Sequence, residues 1–382
     1  YLNAGGTFPA GSTGSPSITF TTDTDTGIYR RGSGDIGFVS NSTEIVNIDG
    51  NGLTVTSKDA TINSVNIGKG ANSVANNTVL GESALDASVS GGNNTAVGKE
   101  ALTALTSATS CTAVGHIAGF SHTTGNNLTA IGRGAAYANT TGAENTGIGA
   151  GALFDNTTGD SNTAVGRLAL ESNTTADNNT AVGKSSLAAN TTGTLNTAVG
   201  ANALQSNTTA NANTAVGSES LKTNTTGHSN VAVGDESLKL NTTGDKNTAI
   251  GNDALLANTT ADNNTAVGNA ALTANTTGTS NVAVGALALD AATTADNNTA
   301  VGFNAGSEIT TGSENTILGS AALDALTTGA NNTAIGYRAL TIATTSDNNT
   351  AVGKDALLVN TTGSDNNAFG RQTLDACTTG AN

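Results

Sequence analysis

The sequence predicts an all-β protein: a parallel β-solenoid of stacked 17-residue coils, entered through a shorter region of conventional strands. A glycine recurs every 17 residues from Gly81 to Gly370, eighteen times, without insertion or deletion. Apolar residues hold fixed places relative to that glycine and do not recur at the three-and-four spacing of a helix over any long window. Between them stands Asn-Thr-Thr-Gly or a close variant, which supplies turn chemistry. Strict periodicity of this length signals a quasi-one-dimensional stack in which each unit buries its apolar edge on the next.

Composition agrees. The chain has 382 residues with 48 Gly, 2 Pro, no Trp, no Met and 3% aromatic residues, too few large apolar side chains for ordinary globular domains. Hydrophobic residues still total 36% and charged ones only 11%, which sets it apart from disordered chains. The net charge of −15 comes from 29 acidic and 14 basic residues scattered singly along the sequence. With no Lys/Arg cluster to neutralise phosphates, a nucleic-acid partner is not expected. No apolar run of membrane-spanning length occurs, so membrane insertion is not expected either. The chain starts at Tyr1 and has no Met, which predicts a lost or processed N-terminus.

The first unit is residues 1–66. Ser17–Phe20, Asp23–Arg30, Gly37–Ser40, Glu44–Ile48 and Leu53–Val55 alternate apolar and polar residues between Gly, Asp and Asn, the pattern of strands. Asp23 and Asp25 lack the further ligands of a calcium loop, so Asp-Thr-Asp-Thr-Gly reads as a turn. Val65–Gly68 then reads as an irregular first coil and entry cap.

The second unit, 67–382, is the solenoid. Its consensus is Asn-Thr-Ala-Val-Gly-x-x-Ala-Leu-x-x-Asn-Thr-Thr-Gly-x-x, matched throughout by Asn264–Ser280. The residue before each glycine is always Val, Ile, Leu or Phe, and is expected to face the core. Accordingly, Asp in place of Val182, Val199 and Val216 should collapse the rod. Four residues after the glycine stands Leu in 15 of 18 copies, the exceptions being Gly119, Ala136 and Gly306; this marks a second buried edge. The Ala two before the glycine (Ala96, Ala164, Ala215) alternates with the Val and so should face outward, where small side chains admit another chain. Asn stands four before the glycine in 16 of 18 copies, suiting an amide ladder broken only at Cys111 and Leu128. Asn-Thr-Thr-Gly should turn the coil, with Asn and Gly tolerating left-handed backbone. Seventeen intervals of about 4.8 Å make a shaft of roughly 80 Å, so Cys111 and Cys377 cannot pair within one chain.

The Phe-Thr-Thr-Asp-Thr-Asp-Thr-Gly-Ile-Tyr-Arg core within Ser15–Leu53 resembles a segment of bacteriophage tail-fibre and tail-spike proteins. The 17-residue repeats are similar to arrays in the same fibres, and more distantly to the head repeats of trimeric autotransporter adhesins. That resemblance covers nearly the whole chain. It implies a homotrimer, a left-handed β-roll, virion tail proteins and a host cell-surface receptor (glycan or protein) as partners, and an extracellular place on the virion. It also implies a cleaved C-terminal chaperone and a receptor-binding tip beyond Asn382, since the sequence stops mid-repeat.

No catalytic, cofactor or metal residues are assigned. Glu100, Asp160, Asp177, Glu219, Glu236 and Asp253 fall at variable positions, where solvation explains them more simply than the paired carboxylates of a glycosidase, and no aromatic groove accompanies them. Cys111, His116 and His122 fall within one coil's length and His228 stands alone; without a ligand spacing they read as surface substitutions. The triplets at Asn139 and Asn207 match a glycosylation acceptor but read as turns. The function expected is a non-enzymatic tail-fibre shaft in host attachment, ahead of a bacterial trimeric adhesin and of an ice-binding solenoid built on paired Thr ladders.

Overall fold

The computed structural model describes residues 10–32, 34–56 and 59–380. It is all-β apart from one 3-10 turn, Ala71–Ser73. Strands β1 (Ile18–Phe20), β2 (Asp23–Gly32), β3 (Asp35–Ser40), β4 (Thr43–Asp49) and β5 (Gly52–Val55) form an antiparallel meander in sequence order. Tyr29 and Val39 are its buried apolar residues, and Tyr29 donates its hydroxyl to Glu44. Asp23 and Asp25 belong to β2 rather than to a turn, and Asp25 accepts from Ser42 Oγ at 2.9 Å.

The second sheet starts with two hairpin pairings, β6 (Ala60–Ile62) with β7 (Val65–Gly68) and β7 with β8 (Thr78–Gly81), both antiparallel. The expected irregular first coil at Val65–Gly68 is therefore an antiparallel strand laid on the end of the stack. Asp59 fixes its exit by accepting the backbone N–H groups of Lys69 and Gly70 at 2.7 and 2.6 Å.

From β8 onward the chain is a parallel β-solenoid. One short strand per coil runs from β9 (Thr95–Val97) to β25 (Asn367–Phe369), each over the next without offset, as in Thr197↔Thr214, Ala198↔Ala215 and Val199↔Val216. Bonding continues around the circumference: Gly217 N–H donates to Val199, Leu221 N–H to Ser237 and Thr225 N–H to Thr242, at 2.8–3.0 Å. Every pairing joins residues one repeat apart, so the stack advances along an axis, and no pairing joins β25 back to β6.

The alternation in each strand is as expected, but its direction is reversed. The Ala two before the glycine is fully buried in coil after coil, whereas none of the eighteen pre-glycine residues is buried; Val199 and Val216 are 37% exposed. The coil is too thin for a larger side chain on the inner side of the strand, because the Leu four after the glycine and two columns of Asn already fill it. The exceptions make the point. Ile317 occupies an Ala position where Gly306 replaces Leu, and a Cβ on Gly306 would lie 2.7 Å from Ile317 Cδ1. Likewise Leu128 replaces a ladder Asn where Gly119 replaces Leu; a Cβ there would lie 3.3 Å from Leu128 Cδ2. Volume is conserved across the section, as close packing demands.

The backbone turns at other places than expected. Asn139 and Gly142 of one Asn-Thr-Thr-Gly are absent from the residues with positive φ. The left-handed residues lie five before, two after and four after the glycine, as in Ala212 (φ 58), Glu219 (φ 56) and Leu221 (φ 49). A left-handed Leu costs roughly 1–2 kcal/mol, which the inter-coil hydrogen bonds and its full burial offset. The repeat glycine itself combines a φ near +138 at Gly217 with contact to the next coil, where a Cβ would lie 2.2 Å from the Gly234 carbonyl oxygen.

Candidate functional site

Two polar ladders run inside the rod. In the expected one, four before the glycine, each Asn Oδ1 accepts the backbone N–H of the next coil's Asn, as in Asn213 to Asn196 at 3.0 Å. Its Nδ2 donates to a carbonyl near the next turn, as in Asn213 to Gly227 at 2.9 Å. The second ladder is the first Asn of Asn-Thr-Thr-Gly, expected from the sequence only to turn the coil. Asn139 to Asn275 form nine consecutive buried amides in which, from Asn156 onward, each Nδ2 donates to the Oδ1 one coil earlier, at 2.7–3.1 Å. The acceptor triplets at Asn139 and Asn207 are therefore enclosed. The signal was present in the sequence, since the column turns apolar as a block at Ala292, Ile309, Leu326 and Ala343.

Cys111 and His122 are corrected by the same geometry. Both are fully buried, with Sγ 3.6 Å from Nε2. His122 sits at the head of the second ladder: Asn139 Nδ2 lies 2.9 Å from Nδ1, so Nδ1 is the acceptor and Nε2–H donates to the Gly125 carbonyl. Burial lowers the His122 pKa and raises that of Cys111, so both are held neutral. His116 and His228 are exposed. No group of three metal-ligating side chains occurs among the described residues, and both cysteines are free.

The acids are spread over the surface. Asp160 and Asp177 accept backbone N–H groups of the preceding coil at 2.7 Å. Glu219 is bridged by Lys222 at 2.7 Å and by Lys239 at 2.8 Å, which also holds Glu236 at 2.9 Å. Hydrogen bonds from Lys222 and then Lys239 bring Glu219 down to about 2. The Thr directly after the second ladder donates its hydroxyl to the next coil, as Thr208 does to Thr225 O at 3.2 Å. Half of each Thr pair is thus consumed within the rod rather than offered to water.

Two outward features remain. One is the pre-glycine column, an apolar stripe along the parallel sheet that is half-buried to exposed in every coil; on the N-terminal meander, Ile18, Phe20, Ile48 and Leu53 are exposed as well. The other is local to the coils from Gly115 to Gly166. Phe120, Tyr137 and Phe154, five after successive glycines, stack with centroids 5.3 and 4.9 Å apart and planes within 12°. An aromatic surface was not anticipated, because its members are 17 residues apart in sequence. The cations that look scattered also align: Lys99, Arg133, Arg167 and Lys184 share the position one after the glycine, where His116 also stands. A pocket of about 290 Å³ opens where these columns meet, between Arg133, Arg167 and Phe154. No family model, curated protein or solved structure matches the chain.

Proposed function

We propose that the chain is the shaft of a homotrimeric attachment fibre of the bacteriophage tail type, a mechanical rather than enzymatic part. The observation that carries this reading is the apolar stripe along all eighteen coils, in which every pre-glycine side chain is exposed or half-buried. A soluble rod that leaves such a continuous apolar face to water is incomplete, and two further copies cover it when three stripes meet around a common axis. The N-terminal meander supports the same reading, since a small sheet with few buried apolar residues and exposed Phe20 and Leu53 gains stability by packing on its counterparts. The interface is thus the Val column, replacing the Ala column expected from sequence. In this role the rod is a stiff extracellular spacer on the virion, joined to other tail proteins at one end. It presents a tip to a host receptor at the other, with weak contacts multiplied by three chains. A bacterial surface adhesin would use the same geometry, but the Phe-Thr-Thr-Asp-Thr-Asp-Thr-Gly-Ile-Tyr-Arg segment favours the tail fibre.

The test is Val182→Asp, Val199→Asp and Val216→Asp combined, read by sedimentation and circular dichroism. The wild-type chain is expected to sediment as a trimer and the variant as a folded monomer with its β signal intact. A monomeric wild type, or a variant that keeps trimer mass, refutes the interface.

A further inference from the structure

We propose that the pocket beside the aromatic stack is a binding site for an acidic oligosaccharide carrying carboxylated sugar rings. The inference starts from a local departure from the repeat. Two residues after the glycine, most coils carry a side chain on left-handed backbone, such as Glu100 (φ 58), Ser185 (φ 55) and Asn202 (φ 59). Two adjacent coils instead carry Gly134 (φ 64) and Gly151 (φ 68). The backbone there tolerates Asn or Ser, so φ alone does not demand glycine; its effect is to let Phe154 and Leu168 close against the backbone along the pocket wall. A Cβ on Gly134 would lie 3.1 Å from Phe154 Cε2, and one on Gly151 2.8 Å from Leu168 Cδ2, so both point into the pocket.

The rim gives the ligand class. Arg133 and Arg167 line the pocket two coils apart, about 10 Å along the axis, a span that suits two linked sugar rings. Both are exposed, and the ion pairs among the described residues involve Arg31, Lys99, Lys222, Lys239 and Lys354 but neither of these arginines. Two unpartnered guanidiniums on a chain of net charge −15 are poised for planar anions, which they grip bidentately. Phe154 and Ile117 supply an apolar wall for the face of a ring. Glu171 lines the same pocket and offers a carboxylate acceptor, which suits a ligand rich in hydroxyl donors and opposes a polyphosphate that has none. The cationic column is interrupted at Ala150, so it does not form the continuous track a nucleic-acid backbone would need. Carboxylates, hydroxyls and an apolar ring face occur together in uronic-type sugars. The site depends on coil geometry alone and not on the oligomer or the attachment role.

The experiment titrates the whole purified chain by calorimetry with a tetrasaccharide of galacturonic acid, alongside a neutral tetrasaccharide and sodium sulfate. Binding of the acidic probe is expected, at least tenfold tighter than either control. It should weaken at least tenfold in Arg133→Gln/Arg167→Gln and in Gly151→Asn, which installs the residue that Asn202 shows the backbone accepts. Melting of each variant checks that the rod is intact. Lack of binding, equal binding of the neutral sugar or of sulfate, or unchanged affinity in both folded variants would overturn the assignment.

Discussion

The buried amide column from Asn139 to Asn275 should respond to substitution in a strongly non-additive way. In Asn207→Leu, Asn190 Oδ1 loses its donor at 2.9 Å and becomes a buried acceptor with no partner. Asn224 Nδ2 loses one acceptor at 3.0 Å but keeps the Gly227 carbonyl, and the Ala210 carbonyl keeps Asn196. One orphaned oxygen plus one weakened amide costs about 2–4 kcal/mol. Leucine fits the space, since Leu105 and Leu326 are fully buried at the same position. Extending the change to Asn190→Leu, Asn207→Leu and Asn224→Leu moves the orphan to Asn173 and the weakened amide to Asn241, but adds no further unsatisfied group. The triple variant should therefore lose no more than the single one, and the added apolar burial should bring it closer to wild type. Urea unfolding followed by circular dichroism measures both. The chain already has such an end at Asn275, whose Oδ1 lacks a partner where Ala292 follows. A triple variant that loses three times the stability of the single one refutes the ladder account and makes each amide an independent contributor.

Two further outcomes follow from the interior. His122 accepts from Asn139 and lies apart from any carboxylate partner, and burial holds its pKa below the ordinary 6.5. The unfolded chain thus binds the proton more tightly. Stability contributed by neutral His122 is complete above about pH 6.5 and falls as the pH drops through that value toward the lower folded pKa. Thermal melts between pH 7.5 and pH 5 should show this slope in the wild type and not in His122→Asn, which continues the ladder. Gly217→Ala places a Cβ 2.2 Å from a carbonyl at φ +138 and should cost about 3 kcal/mol or more. Gly227→Ala puts a Cβ 2.4 Å from the Gly244 carbonyl oxygen, but on backbone without positive φ and at a position where Ala210 and Ala261 already stand, so it should cost less than Gly217→Ala, the two being compared by denaturant midpoint.

What the sequence by itself determined is the period, the number of coils, the parallel register and the identity of the stacked columns. Gly81 to Gly370 at equal spacing leaves little freedom for anything but one turn per repeat, and Leu four after the glycine could only be internal. The strands of the meander were likewise legible from their alternation. Tertiary structure alone decided which side of each strand is inside. Alternation places Ala198 and Val199 on opposite faces, but it carries no sign, and the larger apolar residue looks like the better core residue. The sign comes from cross-section: a coil already filled by Leu204 and two amide columns has room only for a methyl group, so the valine is turned outward. The same logic hid the aromatic stack, the basic column and the Cys111–His122 contact, because residues far apart along the chain become neighbours only when the coils are laid on one another.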